Sequence, residues 1–530
     1  MKRIYLFSEG SAKLKSLLGG KGANLAEMNK LGLPIPPGVI ITTDAWREYY
    51  TNNQTFSEDL KTEIIEKLKI IEKETGKVFG RRHNQLLVSV RSGAPVSMPG
   101  MMDTILNLGL NDETINGFVK QTRDERFGYD CYRRFIGTFG RIVLCVEKEK
   151  FEEILEDYEY KLGFKKDLDL DINALKEIIK EYKALVEKET GKEFPNDVYD
   201  QLFLAVKAVF DSWFTPRAVT YRQANKIPDD LGTAVIIQAM VFGNMGNDSG
   251  TGVMFTRDPS TGEKRLYGEC LLNAQGEDLV AGIRTPKPID SLHEKLPKIY
   301  DELVSTSDIL ERHFRDMQDV EFTIEKGKLY ILQTRAGKRT PQAAAKIAFD
   351  VYKDGMISRE EAIRRINSIP LQELILQQKD SNVKVEPLAK GLPASPGIAT
   401  GIVVLSSDEA RKRKEKGENV ILVRPQTSPE DIQGILSAEG VLTTRGGMTS
   451  HAAIVTRSLS KPCIVGCEEI VIDPKAERFY VKKEKESKTI IVTKGEVITI
   501  DGTRGEVILG EVPKVVQRLS EYVKELLAGM

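Results

Sequence analysis

Residues 386–401, EPLAKGLPASPGIATG, constrain the fold more than any other stretch. Proline has no backbone donor to give a helix or a ladder, and glycine weakens both. A run carrying three of each therefore reads as a linker entering a new domain. The chain must then bury its apolar residues in more than one core. Its 530 residues agree, because domains of roughly 100–200 residues would give about three to four units.

The texture changes along the chain in the same sense. Residues 1–110 alternate short apolar strands with helices and glycine turns. From about 111 to 200, charged segments of helical period take over, as in INALKEIIKEYKALVEKE, and read as a helical subdomain. IEKETGKVF at 71–79 and VEKETGKEF at 186–194 echo each other. Two similar helix ends capped by Gly76 and Gly191 account for the echo without a duplicated domain. Strand signals return over 231–335, and AVIIQAMVFG at 234–243 reads as a buried strand. Residues 339–380 are again helical. Beyond the linker, 401–511 alternates β-rich runs with two helices, and VPKVVQRLSEYVKELLAG closes as a helix.

A net charge of -1 leaves no basic excess to neutralise a phosphate backbone, so nucleic acid is not expected as a partner. No run approaches the roughly 20 apolar residues of a membrane span. MKRIYLFSEG lacks the apolar centre of a secretory signal. These readings predict a cytoplasmic protein with no membrane partner. The five cysteines, Cys131, Cys145, Cys270, Cys463 and Cys467, form neither a disulfide framework nor a zinc spacing, and read as small buried residues or free thiols.

Candidate chemistry falls into two clusters. In GGKGANLAEM, 19–28, a glycine loop runs into a helix, where backbone N–H groups suit a phosphate and Lys21 adds a positive charge. It is not a Walker A sequence. In LLVSVRSGAPVSMPGMMDTILNLGL, 86–110, Arg91 ends an apolar strand before a Ser/Gly/Pro/Met loop, where a guanidinium reaches either water or a phosphate. In QDVEFTIEKGKLYILQTR, 318–335, Val320, Phe322 and Ile324 alternate with Asp319, Glu321 and Thr323, the period of a strand with one buried face. With Lys326-Gly327-Lys328 as a three-residue loop, Glu321 falls opposite Gln333 and Asp319 opposite Arg335. Hard oxygen donors beside a guanidinium are what Mg²⁺ with a polyphosphate requires, a solvated hairpin face being the plain alternative. SGTGVMFTRDPSTGEK, 249–264, adds Thr251, Gly252 and Arg257 in a loop context. The run from Gln238 through Met240 to Phe242 offers an apolar adenine slot.

The second cluster is TRGGMTSHAAIVTR, 444–457, which holds one of only four histidines. Thr449 or Ser450 caps a helix and places His451 in its first turn. The partial positive charge of a helix N-terminus disfavours imidazolium and keeps the ring neutral and nucleophilic. The same end, with N–H groups of Gly446 and Gly447 and nearby hydroxyls, suits an attached phosphoryl group. Upstream, in ILVRPQTSPEDIQGIL, 421–436, Ser428 is an N-cap, Pro429 a first-turn residue and Asp431 the third position of a capping box. A packed core histidine is the ordinary alternative. A metal role lacks partners nearby in sequence, since the other histidines are His83, His293 and His313.

Over nearly the whole chain, 1–511, these motifs resemble the pyruvate, phosphate dikinase family of PEP-utilising enzymes. The resemblance runs through VSVRSGAPVSMPGMMDTILNLGLND, FGNMGNDSGTGVMFTRDPSTGE, NAQGEDLVAGIRTP, QDVEFTIEKGKLYILQTRAGKRT and GGMTSHAAIV. It implies a multidomain α+β fold: an ATP-grasp nucleotide-binding domain at 1–338 with a helical insertion at 111–200, then a helical linker at 339–385. A swivelling β/β/α phosphohistidine domain at 386–511 and a terminal linker helix at 512–530 complete it. It implies a transferase in which ATP and inorganic phosphate phosphorylate His451, giving AMP and pyrophosphate. Lys21, Arg91 and Arg335 would be catalytic, Gln238, Met240, Thr251, Gly252 and Asp319 would bind nucleotide, and Glu321 and Gln333 would hold Mg²⁺. Phosphoenolpyruvate synthases of this scheme tend to carry Cys where Ser450 stands and a different loop near Arg91, so the chain follows the dikinase version. Thr449 takes the position of a threonine regulated in plant members. The resemblance further implies pyruvate and phosphoenolpyruvate as partners and a homodimer in full-length enzymes. The family continues with a phosphoenolpyruvate/pyruvate barrel, whereas this sequence stops at Met530. The delivery step is accordingly expected to need a C-terminal domain or a separate chain. A synthase using water as γ-phosphate acceptor and a non-catalytic nucleotide-binding module are the competing readings.

Overall fold

A computed structural model describes residues 2–96, 98, 102–162, 170–224, 226–280, 286–369, 374, 377–379, 385–482, 489–516 and 521–528. Much of the loop in VSMPGMM, the GIRTP segment and residues 380–384 of the expected linker lie outside these. Two compact units emerge, 1–249 with 323–334, and 250–322 with 335–530.

In the first unit a five-stranded sheet runs in the order Ile4–Leu6, Gly38–Ile41, Ala234–Ala239, Val88–Gly93, Thr104–Leu108. Every neighbouring pair is antiparallel. Ala234–Ala239 is buried along its whole length, as its continuous apolar run requires of a central strand. Helices fill the expected stretch from Ile115–Thr122 through Ile172–Thr190 and continue to Pro216–Ala224. Glu58–Thr75 and Ile172–Thr190 both end in glycines with a left-handed backbone, Gly76 and Gly191, which explains the echoed ETGK.

The hairpin of Gln318–Glu325 and Lys328–Ala336 has its tip in the first unit and its base in the second. Its loop is shorter than expected. Lys328 is already in the strand, and Lys326 and Gly327 form a two-residue turn with φ of 48° and 71°. Such a turn needs positive φ at both central residues, and its twist matches that of the strands it joins.

The second unit opens with Lys287–Pro288, Tyr267–Leu272 and Gly250–Phe255 in antiparallel succession. Arg257 is not in a ligand loop. It is wholly buried, with Nε and Nη2 on Glu311 at 2.9 and 2.7 Å and Nη1 on Asp350 at 2.8 Å. It thereby clamps the helices Pro297–Phe314 and Pro341–Lys353.

Downstream is an eight-stranded sheet whose centre, Ile398–Val404, Val420–Arg424, Gly440–Thr443, Cys463–Val465, is parallel. Val420 and Leu422 face one core, with Ala452 and Ala453, while Ile421 and Val423 face another, with Phe479. That two-sided burial is why VILV shows no alternation. Each such side chain contributes about 1.5–3 kcal/mol. The Pro/Gly stretch is not simply a linker, because Ala389–Lys390, Leu392–Ser395 and the Ile398–Val404 strand all belong to this sheet. Leu392–Ser395 is an edge strand, where a missing donor at Pro393 is tolerated.

Candidate active site

In the first unit the glycine loop is fixed by a single close approach. Gly19 has φ 69° and ψ 168°, which interrupts the helix Lys15–Lys30, and a Cβ there would lie 1.7 Å from the Gly93 carbonyl oxygen. Gly20 N–H donates to the Ala94 carbonyl at 2.9 Å. The helix start that carries Lys21 is thus docked on the end of the strand that carries Arg91. Arg91 is half-buried between buried Val90 and Ser92, and its Nη2 lies 3.5 Å from Gln333 Oε1. Asn24 Nδ2 donates to the Thr334 carbonyl at 2.8 Å, tying the helix to the hairpin tip. Lys21, Arg91 and Gln333 are therefore positioned from three separate elements. Gln238 and Met240 are placed differently. The Gln238 carboxamide is buried and donates to the Pro36 carbonyl at 3.0 Å, which ties its donor to the strand beside it. Met240 lines a cavity of about 140 Å³ with Leu87, Phe118, Phe242 and Met245. There Phe242 N–H donates to Glu325 Oε2 at 2.7 Å.

In the second unit Thr251 Oγ donates to the Phe322 carbonyl at 3.2 Å. A Cβ on Gly252 would come 2.3 Å from the Phe322 ring, so packing alone calls for glycine there. Asp319 Oδ2 accepts from Arg335 Nε at 2.7 Å, while its Oδ1 is buried without a hydrogen-bond partner among the described residues. Burial pushes the Asp319 carboxyl up, and Arg335 beside it pulls it back. Burial works against the Arg335 charge, but Asp319 and Glu321 outweigh it and keep the guanidinium protonated. Glu321 is half-buried on the same strand as Asp319.

His451 opens the helix His451–Ser458, which crosses between two parallel strands, at the carboxyl end of Gly440–Thr443. Loops at that end of a parallel sheet are where α/β folds place ligands. Of the two candidate caps, Ser450 is the one used, accepting from Ala453 N–H at 3.5 Å. The imidazole Nδ1 lies 3.0 Å from Thr427 Oγ. The loop bearing Thr427 is held by Asp431, which accepts from Ser428 N–H at 3.0 Å and from Ser407 Oγ at 2.5 Å. Burial lowers the His451 pKa from its ordinary 6.5, opposed by the charges of Asp431 and Glu430. The direction disfavours the charged ring, and its cause is burial rather than the helix start.

Two residues of this arrangement had no sequence signal strong enough to single them out. Thr427 is one hydroxyl among several in PQTSPED. Glu269, in the strand Tyr267–Leu272, is 4 % exposed. Its Oε1 accepts from Met448 N–H at 2.6 Å, and its Oε2 accepts from Thr449 N–H at 3.1 Å and Thr449 Oγ at 2.7 Å. The open side of Gly447, whose N–H was expected to face an attached phosphoryl group, is filled by this carboxylate, since a Cβ would lie 2.1 Å from Glu269 Oε1. An acid inside an otherwise apolar strand was the available clue.

Among the described residues no group of three or more His, Cys, Asp or Glu is arranged to hold a metal ion. No described helix is long and apolar enough to cross a membrane. All five cysteines are free, and only Cys145 is exposed.

Residues 15–62, 52–309 and 291–356 match the family described as pyruvate phosphate dikinase, AMP/ATP-binding domain. Residues 416–505 match the PEP-utilising enzyme mobile domain. Among curated relatives, pyruvate, phosphate dikinase of Rhizobium meliloti is 50% identical over 535 residues, covering 98% of this chain and 59% of the relative. That of Clostridium symbiosum is 51% identical over 514 residues, covering 96% and 58%. The chloroplastic one of Mesembryanthemum crystallinum is 49% identical over 519 residues, covering 97% and 54%. The chain thus spans a little over half the length of these relatives.

Proposed function

The chain belongs to the pyruvate, phosphate dikinase family, and from that premise we propose that it carries out phosphoryl transfer from ATP to His451, with inorganic phosphate as co-substrate. In this reading residues 1–338 form an ATP-grasp domain with the 111–200 helical insertion, 339–385 a linker, and 386–511 a phosphohistidine domain. Residues 512–530 are a terminal linker helix.

The observation that carries the reading is the place of His451 at the first turn of its helix, with Nδ1 3.0 Å from Thr427 Oγ. With the proton on Nδ1 and donated to the threonine oxygen, the lone pair lies on Nε2. Nε2 attacks the β-phosphorus of ATP, the bond from that phosphorus to the oxygen bridging to the α-phosphate breaks, and AMP leaves. Inorganic phosphate then takes the γ-phosphoryl group, releasing pyrophosphate and leaving phosphohistidine. Such transfers need positioning and charge neutralisation rather than covalent help from other residues. Lys21 and Arg91 supply positive charge at the phosphates, with Arg91 oriented by Gln333. Arg335, held by Asp319, is a further cation for the transition state. Met240 and its cavity take the adenine.

The donor set fits Mg²⁺ held largely by the nucleotide. Magnesium sites of this kind use one or two protein oxygens plus phosphate oxygens and water, and the buried Oδ1 of Asp319, without a hydrogen-bond partner among the described residues, supports this reading. Glu321 and Gln333 would hold the ion, which when bound adds charge neutralisation at the phosphates. The phosphoryl group on His451 is destined for the pyruvate in the relatives' names, giving the phosphoenolpyruvate (PEP) in the description of the matched mobile domain.

The test is incubation with β-³²P-ATP, Mg²⁺ and phosphate, followed by alkaline quench. Label should appear in the wild type and in His313→Ala and vanish in His451→Ala. Label persisting in His451→Ala overturns the assignment. AMP release that ignores added phosphate would favour a synthase-type reaction.

A further inference from the structure

Arg457 lies in the histidine helix and is wholly buried, yet its bonds go to carbonyls. Nε donates to the Ala394 carbonyl at 2.7 Å, Nη2 donates to the Met448 carbonyl, and Nη1 has no partner among the described residues. The Phe255 ring centre is 5.8 Å from the guanidinium carbon. A buried guanidinium with no bonded carboxylate is costly, so its counter-charge must act from a short distance.

That counter-charge is reached across one peptide unit. The carbonyl of the Met448–Thr449 peptide faces Arg457, and the N–H of the same peptide donates to Glu269 Oε2 at 3.1 Å. The peptide dipole therefore points its oxygen at the cation and its hydrogen at the anion, an arrangement that low surrounding dielectric strengthens at both ends. Burial lowers the Arg457 pKa, and Glu269 is among the groups whose charge opposes that. The gripped peptide precedes Ser450, the cap of the helix, and His451 itself.

We propose that Arg457 is a positioning residue for phosphoryl transfer to His451, acting together with Glu269 through the Met448–Thr449 peptide that the two charges hold from opposite ends. This rests on His451 being the phosphoryl acceptor. Neither residue touches the reacting atoms; the pair fixes where the imidazole stands.

A double-mutant cycle tests it on the full chain. Glu269→Gln and Arg457→Lys should each slow single-turnover labelling from β-³²P-ATP by about tenfold, a one-hydrogen-bond effect. The double variant should be no slower than about tenfold, because either change alone releases the peptide. The dissociation constant for ATP should stay within about twofold. Losses that multiply to about a hundredfold in the double variant overturn the proposal, as does a loss of ATP affinity that matches the loss of rate. A spectroscopic arm needs no Arg457 variant to fold. Met-Thr occurs once in the sequence, so ¹³C′-methionine and ¹⁵N-threonine labelling isolates this one peptide. Glu269→Gln should move both its carbonyl and its amide resonances, and an unmoved carbonyl resonance overturns the proposal. A wild-type chain that takes no label sinks the phosphohistidine reading and this inference with it. Label in the wild type with a multiplicative cycle sinks the inference alone.

Discussion

Thr427 Oγ stands 3.0 Å from His451 Nδ1, reaching it from the loop after a neighbouring parallel strand. Only one ring nitrogen is left for chemistry, and the hydroxyl decides which. Thr427→Val keeps shape but removes that hold. Labelling of His451 should slow by about tenfold, the worth of one hydrogen bond, and Thr427→Ser should restore most of it.

The pH dependence of labelling follows from burial of the ring. Because burial disfavours imidazolium, the rate should fall only as pH drops through a midpoint below 6.5. Glu430 and Asp431 favour the charged ring, so Glu430→Gln should move the midpoint further to acid. A shift toward alkali in a pH–rate profile contradicts this account. By linkage the unfolded chain's histidine takes up its proton at higher pH than the folded one, so this group's contribution to stability declines as pH falls below 6.5.

Lys21 and Arg91 sit on elements that meet at Gly19. Lys21→Met and Arg91→Met should each cut AMP formation by roughly 10²–10³. Gly19→Ala is the contrasting case. Its methyl meets the Gly93 backbone at a positive φ, so stability and nucleotide turnover should fall together in denaturation and AMP-release assays.

Arg257 serves the core alone. Arg257→Met leaves Glu311, 2 % exposed, without the guanidinium whose Nε and Nη2 both donate to its Oε1, and should cost about 3–5 kcal/mol in urea unfolding. The pair replacement Arg257→Met with Glu311→Leu should recover much of that, since no uncompensated charge remains.

Much of the architecture was legible because it is written in local chemistry. Gly76 and Gly191 announce helix ends, Asp431 reaches back to Ser428 as a capping box does, and the hairpin shows its period of two. The helix opened by His451 was legible for the same reason. Where local reasoning misled, tertiary context had changed the meaning of a residue. Pro387, Pro393 and Pro396 looked like a linker, but Pro393 lies on an edge strand that needs no donor from it. Arg257 looked like a loop arginine until two carboxylates from distant helices enclosed it. The glycine beside Met448 looked like space for a phosphate until Glu269 filled it.

By itself the sequence determined the family and the helix that His451 opens. Each depends on residues within a few positions of one another, where backbone geometry fixes the outcome. Only the tertiary structure decided that Thr427 holds the ring and that Arg457 and Glu269 share one peptide. Glu269 and Thr449 are separated by 180 positions. Contacts between such distant residues leave no periodicity to read, because folding and not spacing brings them together.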